Sequence, residues 1–315
     1  MKLFTHIPLA PEENPITYDS NLLLMGSCFT ENIGGKLDYF KFHNVQNPFG
    51  IVFHPVAIDT LIARALDERP YTEEDIFLYN EQWHCFEVHS RLSHPNKEDL
   101  LITLNTQRDL LKKTIFSATH IILTLGTAWV YRYLESETIV ANCHKIPQRS
   151  FAKELLSVSH ISEVIRESID RIQRVNPKAP ILFTVSPVRH LKDGFSENSR
   201  SKAHLIAGLH AALDTRTNAF YFPSYELMQD EMRDYRFYAQ DLIHPNVTAI
   251  ELLWERFKDV WIASETENVQ KEVDAIQKGL QHRPFHQDGA AYEAFQKNLQ
   301  KKILQLEQRV PGLKF

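Results

Sequence analysis

Cysteine is scarce in this 315-residue chain, and its three copies, Cys28, Cys85 and Cys143, are odd in number. They are too few for the disulfide framework of a small secreted scaffold, so a reduced, cytoplasmic protein is expected. Also missing is any run of about 18 apolar residues, which argues against a membrane-spanning helix. The opening stretch MKLFTHIPLAPEEN reaches its Pro and Glu residues with no sustained apolar region, so it makes a poor signal peptide. Positive charge is not in excess: 35 Lys and Arg stand against 40 Asp and Glu, a formal net charge of -5. Nucleic acid and anionic membrane surfaces, which reward basic patches, are therefore not expected partners. No internal repeat or low-complexity segment stands out.

What remains is an ordinary globular composition, 43% hydrophobic and 24% charged, in a chain long for one domain and short for three. Four short apolar runs read as strands: NLLLMG, HIILTLG, APILFTVSP and NAFYFPS. Each is continuous and rich in β-branched or aromatic residues, the pattern of strands buried on both faces. Between them lie TENIGGKLDYF, PVAIDTLIARALDE, KEDLLITLNTQRDLLKKTIFSA, HISEVIRESIDRIQRVN and SKAHLIAGLHAALDTRTN. The last four have apolar residues at helical spacing, and the adjacent Gly34 and Gly35 weaken the first. This alternation predicts an α/β fold with a mainly parallel sheet and helices on both faces.

Two stretches break the rhythm. DIFLYNEQWHCFEVH and WVYRYLESETIVANC read as β-hairpin insertions, with turns at Asn80-Glu81-Gln82 and Glu135-Ser136-Glu137. After Ala263 the chain turns polar, helical and rich in Gln and Lys, with a break at Arg283-Pro284. The expected organisation is a core over residues 1–263 and a helical appendage over 264–315.

In open α/β sheets, ligands bind beyond the carboxyl ends of the strands, so the residues just after each predicted strand matter most. Ser27 and Cys28 follow the first; Gly126, Thr127, Ala128 and Trp129 the second; Ser186, Arg189 and His190 the third. Ser27 is open to three readings: an activated hydroxyl, a neighbour of a reactive Cys28 thiolate, or a helix cap. Near the other end, Asp241 and His244 stand three residues apart, just before a helix that Pro245 and Asn246 suit as a start. A locally helical turn puts both on one face, where the carboxylate can orient the imidazole as a general base.

GSCFTEN near the start of the core and DLIHPN near its end resemble the SGNH/GDSL hydrolase superfamily, and more narrowly the GSCFA family. Gly26, Ser27, Cys28 and Phe29 match four letters of that family's motif, and Thr30 stands in place of the fifth. NPFGIVFHP, LTLGTAWVY, VANCHK and TVSPVRHLKDGF are also similar to it, so the likeness spans roughly residues 20 to 260. It implies a three-layer α/β/α, flavodoxin-like core with Ser27 as nucleophile, His244 as base and Asp241 as its orienter. It also implies an oxyanion hole built from the Ser27 N–H, Gly50 and a third-block Asn. Here Gly126 is followed by Thr127 and Ala128, so Asn142 becomes the replacement candidate.

The resulting expectation is a serine hydrolase that cleaves an acyl ester on a small molecule or glycan, with no cofactor and no metal. Arg189 and His190 are candidates for substrate contact. Cys28 is expected to be a small packing residue. Zinc is a weak prospect at His84, Cys85 and His89: Cys85 and His89 can share a strand face, whereas His84 and His89 cannot. His144 directly follows Cys143, which is poor ligand spacing, and Trp83 and Trp129 read as core or pocket wall. The competing expectations are a non-catalytic binding or scaffold protein on the same fold, and a thiol enzyme using Cys28.

Overall fold

A computed structural model describes residues 5–214, 216–282 and 289–315. The chain begins with β1 (Leu22–Gly26), α1 (Cys28–Tyr39), β2 (Asn44–Gln46), α2 (Pro55–Leu66), β3 (Ile76–Tyr79), β4 (Gln82–Cys85) and α3 (Lys97–Ser117). It continues with β5 (His120–Leu125), β6 (Trp129–Tyr133), β7 (Thr138–Val140), β8 (Phe151–Leu155), α4 (Val158–Val175), β9 (Ile181–Val185) and α5 (Phe195–Leu213). β10 (Ala219–Phe222), a short α6 (Ser224–Glu226), α7 (Val247–Trp261), α8 (Glu267–Gln281) and α9 (Ala290–Arg309) complete it.

The four apolar runs are β1, β5, β9 and β10. With β2 they form a five-stranded parallel sheet in the order β10-β9-β5-β1-β2. Strand periodicity splits the side chains between two cores. Leu23, Met25, Ile121, Leu123, Ile181 and Phe183 belong to the core completed by residues of α2, α3, α4 and α5. Leu22, Leu24, Ile122, Leu182 and Phe222 belong to the opposite core, closed by residues of α1, α7, α8 and α9. Each central strand is thus buried on both faces, which is why its sequence is continuously apolar rather than alternating.

Three local expectations are corrected and one strand is added. β2 was not anticipated, because Asn-Val-Gln is short and half-buried at the sheet edge. The second insertion is a three-stranded antiparallel sheet, β7-β6-β8, and not a hairpin alone; Phe-Ala-Lys-Glu-Leu carries the charge typical of an edge strand. The first insertion is a hairpin, turning through Asn80 and Glu81 with φ of 47° and 63°, but β4 stops at Cys85. α5 starts at Phe195, ahead of the periodic stretch that signalled it. The Arg283-Pro284 break lies outside the described residues.

Candidate active site

Gly26 ends β1 with φ of +143°, and a Cβ there would lie 2.2 Å from the Thr124 carbonyl oxygen of the adjacent strand. Only glycine meets both demands. The next residue, Ser27, is the N-cap of α1: its Oγ accepts the Phe29 N–H at 3.2 Å. Ser27 is buried, 1% exposed, and its own N–H donates to Thr124 O at 3.2 Å. Cys28 opens the helix half-buried. Burial pushes its thiol pKa up, Glu31 adds to that, and the opposing backbone N–H groups and Lys202 do not reverse it. Cys28 is therefore a thiol at neutral pH, without the depressed pKa that marks a reactive cysteine.

The Asp241–His244 pair forms, but through a different local geometry from the expected helical turn. Leu242 between them has φ of +58°. Asp241 Oδ1 accepts the N–H groups of Ile243 and His244 at 2.9 and 3.0 Å, while Oδ2 accepts His244 Nδ1–H at 2.7 Å. These bonds, led by the backbone N–H of His244, hold the Asp241 carboxyl down at about 2. Nδ1 is committed to the carboxylate, so Nε2 is the ring nitrogen left to take a proton. Both side chains are about half exposed, 48% for His244 and 46% for Asp241. Asn246 caps α7 immediately afterwards, accepting the Ala249 N–H at 3.0 Å.

This turn meets the carboxyl end of the sheet. The Arg189 N–H, just after β9, reaches Ile243 O at 3.4 Å. His190 stacks on Phe53 at 5.3 Å, with a buried Nε2 that has no hydrogen-bond partner among the described residues. Burial first, then the charges of Lys202 and His244, push its pKa down to about 4. Arg189 lays its guanidinium 4.4 Å over the Tyr238 ring and lines a 310 Å³ cavity with Gln229, Arg233 and Tyr235.

Lys202 escaped the sequence reading. It is 1% exposed, and its Nζ donates to Gly126 O and Ser186 O, each at 2.7 Å. It thereby ties the ends of β5 and β9 together. Burial pushes its pKa down to about 7, and Cys28 lies close enough to act on it. Asn198, Ser201, Lys202 and Leu205 fall on the buried stripe of α5, so its helical phase was the available signal. Electrostatic neighbours thus run from Cys28 to Lys202 to His190 to His244.

The remaining candidates are distributed as follows. Gly50, with φ of +79°, donates its N–H to Asn47 O at 2.8 Å. Gly126 donates to Phe53 O at 2.7 Å. Asn142 turns its Oδ1 to the His144 N–H at 2.8 Å and lines a 360 Å³ cavity with His84, Ser93 and His144. Among the described residues no hydrogen bond joins Ser27 Oγ to His244. His84 uses both ring nitrogens, on Ser93 Oγ at 2.6 Å and Tyr79 O at 3.0 Å, and His89 lies beyond the strand that was expected to carry it. Among the described residues no group of three His, Cys, Asp or Glu is set to hold a metal ion, and no helix is long and apolar enough to cross a membrane.

Comparison with curated proteins returns no match. The GSCFA domain protein, C-terminal domain, matches residues 273–315. The GSCFA family model matches residues 21–257, from the start of β1 to within α7, which covers the Ser27 corner and the Asp241–His244 turn. The chain belongs to the GSCFA family.

Proposed function

We propose that the protein is a serine hydrolase of acyl esters, with Ser27 as nucleophile, His244 as general base and Asp241 as the residue that orients it. The observation that carries this reading is the Asp241–His244 pair, in which the carboxylate takes Nδ1–H and leaves Nε2 as the nitrogen that can accept a proton, on a turn bonded to the Arg189 N–H after β9. In the reaction, Ser27 Oγ bonds to the acyl carbon as its proton passes to His244 Nε2, and the carbonyl electron pair moves onto oxygen. Collapse expels the alcohol, which takes that proton. Water, deprotonated by His244, then releases the acid and restores Ser27. The Ser27–His244 hydrogen bond this requires forms when substrate engages the site, since catalytic contacts are often open in the free enzyme.

Counted over its five parallel strands alone, the sheet order is 2-1-3-4-5, which supports the flavodoxin-like, SGNH-type reading of the core. An acylated small molecule or glycan is the substrate class by that analogy, which is a fold-level warrant. A second reading, a non-catalytic ligand-binding protein, is favoured by one observation: Ser27 Oγ is buried and occupied as a helix cap.

A fluorophosphonate probe and a short-chain nitrophenyl ester separate the two. Labelling and turnover are expected in the wild type. Ser27→Ala should lower kcat by roughly 10⁶-fold and Asp241→Asn by roughly 10⁴-fold, with Cys28→Ala still labelled. A wild type that neither labels nor turns over supports the binding protein. Labelling that survives Ser27→Ala and disappears in Cys28→Ala moves the chemistry to the thiol.

A further inference from the structure

We infer that the side-chain amide of Asn47 is an oxyanion donor for acyl transfer at Ser27, an inference that rests on reading Ser27 as the nucleophile. A developing oxyanion needs N–H groups that are fixed in advance and not already spent. The Ser27 N–H is given to Thr124 O at 3.2 Å, the Gly50 N–H to Asn47 O at 2.8 Å and the Gly126 N–H to Phe53 O at 2.7 Å. In Asn142 only the Oδ1 is taken, by the His144 N–H, but the residue is half-buried and lines the separate cavity of His84, Ser93 and His144.

Asn47 differs from all of these. It follows β2, beside the end of β1, and is 2% exposed. Its Oδ1 accepts the Gly26 N–H at 2.8 Å, in the place where a longer β2 would have offered a ladder carbonyl. That bond settles the orientation of the amide, because only the oxygen can accept. Nδ2 is therefore the donor end, and it is buried with no hydrogen-bond partner among the described residues. Covalent geometry keeps Nδ2 within about 5 Å of Gly26 N, the residue directly before Ser27.

The rest of the residue is equally constrained. Asn47 O accepts both the Gly50 N–H and Arg91 Nη2 at 3.0 Å, and its φ of +41° lies in the left-handed region that Asn tolerates better than most residues. A buried and unspent donor held next to the end of β1, the strand that leads into Ser27, is costly unless something arrives to accept from it. The oxygen that becomes negative as Ser27 Oγ attacks meets that need.

The test compares wild type, Asn47→Asp, Asn47→Ala and Asn142→Ala in nitrophenyl-ester kinetics, fluorophosphonate labelling rate and thermal melting. Asn47→Asp keeps the oxygen that holds Gly26 and removes the donor, which separates structural from chemical loss. The expected result is a kcat about 10²- to 10³-fold lower in Asn47→Asp, with KM within about threefold and a folded melt. Should the variants fold poorly, the wild type carries the test: phosphonylation of Ser27 should move the Asn47 side-chain ¹⁵N–H resonance downfield. A wild-type kcat in folded Asn47→Asp overturns the inference and leaves Ser27 as nucleophile. So does a kcat that falls in Asn142→Ala and holds in Asn47→Asp, or an Asn47 resonance unmoved by phosphonylation. A wild type inert at Ser27 overturns both the inference and the reading beneath it.

Discussion

One buried lysine ties together the carboxyl edge of the sheet. Lys202 gives two N–H groups to the carbonyls of Gly126 and Ser186, the residues that follow β5 and β9. Its folded pKa, about 7, is below its ordinary 10.5 because burial disfavours the charge. Between those values the unfolded chain holds a proton that the folded chain has released, so stability rises with pH across that window. Above 10.5 both states are neutral and the contribution is complete; it is lost as pH falls toward 7. In urea melts, the wild type should gain on Lys202→Met by up to about 1.4 kcal/mol per pH unit between 7 and 10. Against this, the two carbonyls left unpaired in Lys202→Met cost about 1 to 3 kcal/mol each at any pH. A pH-independent difference would show that Lys202 does not titrate there. At this scale the sequence made Ser27, Asp241 and His244 visible, because strand ends and helix starts have local signatures. It hid Lys202 and Asn47, whose importance comes from partners on other strands.

At the scale of elements, close packing is concentrated where helices share a face. α4 and α5 meet at Gly208, where a Cβ would lie 2.6 Å from Ile161 Cγ2 and 2.9 Å from Val158 O. Gly208→Ala gains about 1 kcal/mol of helix propensity, but the helices must separate, at about 1 to 3 kcal/mol for overpacking. A lower melting temperature is expected. Gly35 in α1 is the contrast: nothing among the described residues meets its added Cβ within 4 Å, so Gly35→Ala should gain about 1 kcal/mol. Equal shifts in the two variants would mean that the α4–α5 contact is not the limiting one. The long helices and central strands were readable because periodicity and continuous apolar runs reflect burial directly. β2 and β8 were not: at a sheet edge, pairing is made by backbone groups, and side chains such as those of Asn44, Gln46, Lys153 and Glu154 carry little trace of it.

Over the whole molecule, the polar C-terminal stretch closes a core. Val273 and Ile276 of α8, and Leu299, Ile303 and Leu306 of α9, are buried with Trp254 and Phe257 of α7 and Leu37 of α1. Ending the chain at residue 263 would uncover this face, which packs against the helix that Ser27 caps. The shortened chain is expected to bind a hydrophobic dye and to melt earlier and less cooperatively than the full chain. A sharp melt at the full-length temperature would show that α8 and α9 are dispensable to the core.

The order of strands and helices, the apolar faces and the short list of polar residues at strand ends all follow from local patterns of burial, and one chain read from end to end is enough to see them. Which donors are spent and which remain open was decided only by folding. The Ser27 N–H is claimed by a carbonyl on β5, Lys202 by the ends of two strands, and the Asn47 oxygen by Gly26, while its nitrogen has no partner among the described residues. Hydrogen bonds between residues far apart in the chain leave no periodic mark on either partner, so the chemistry of the corner emerged only when the strands came together.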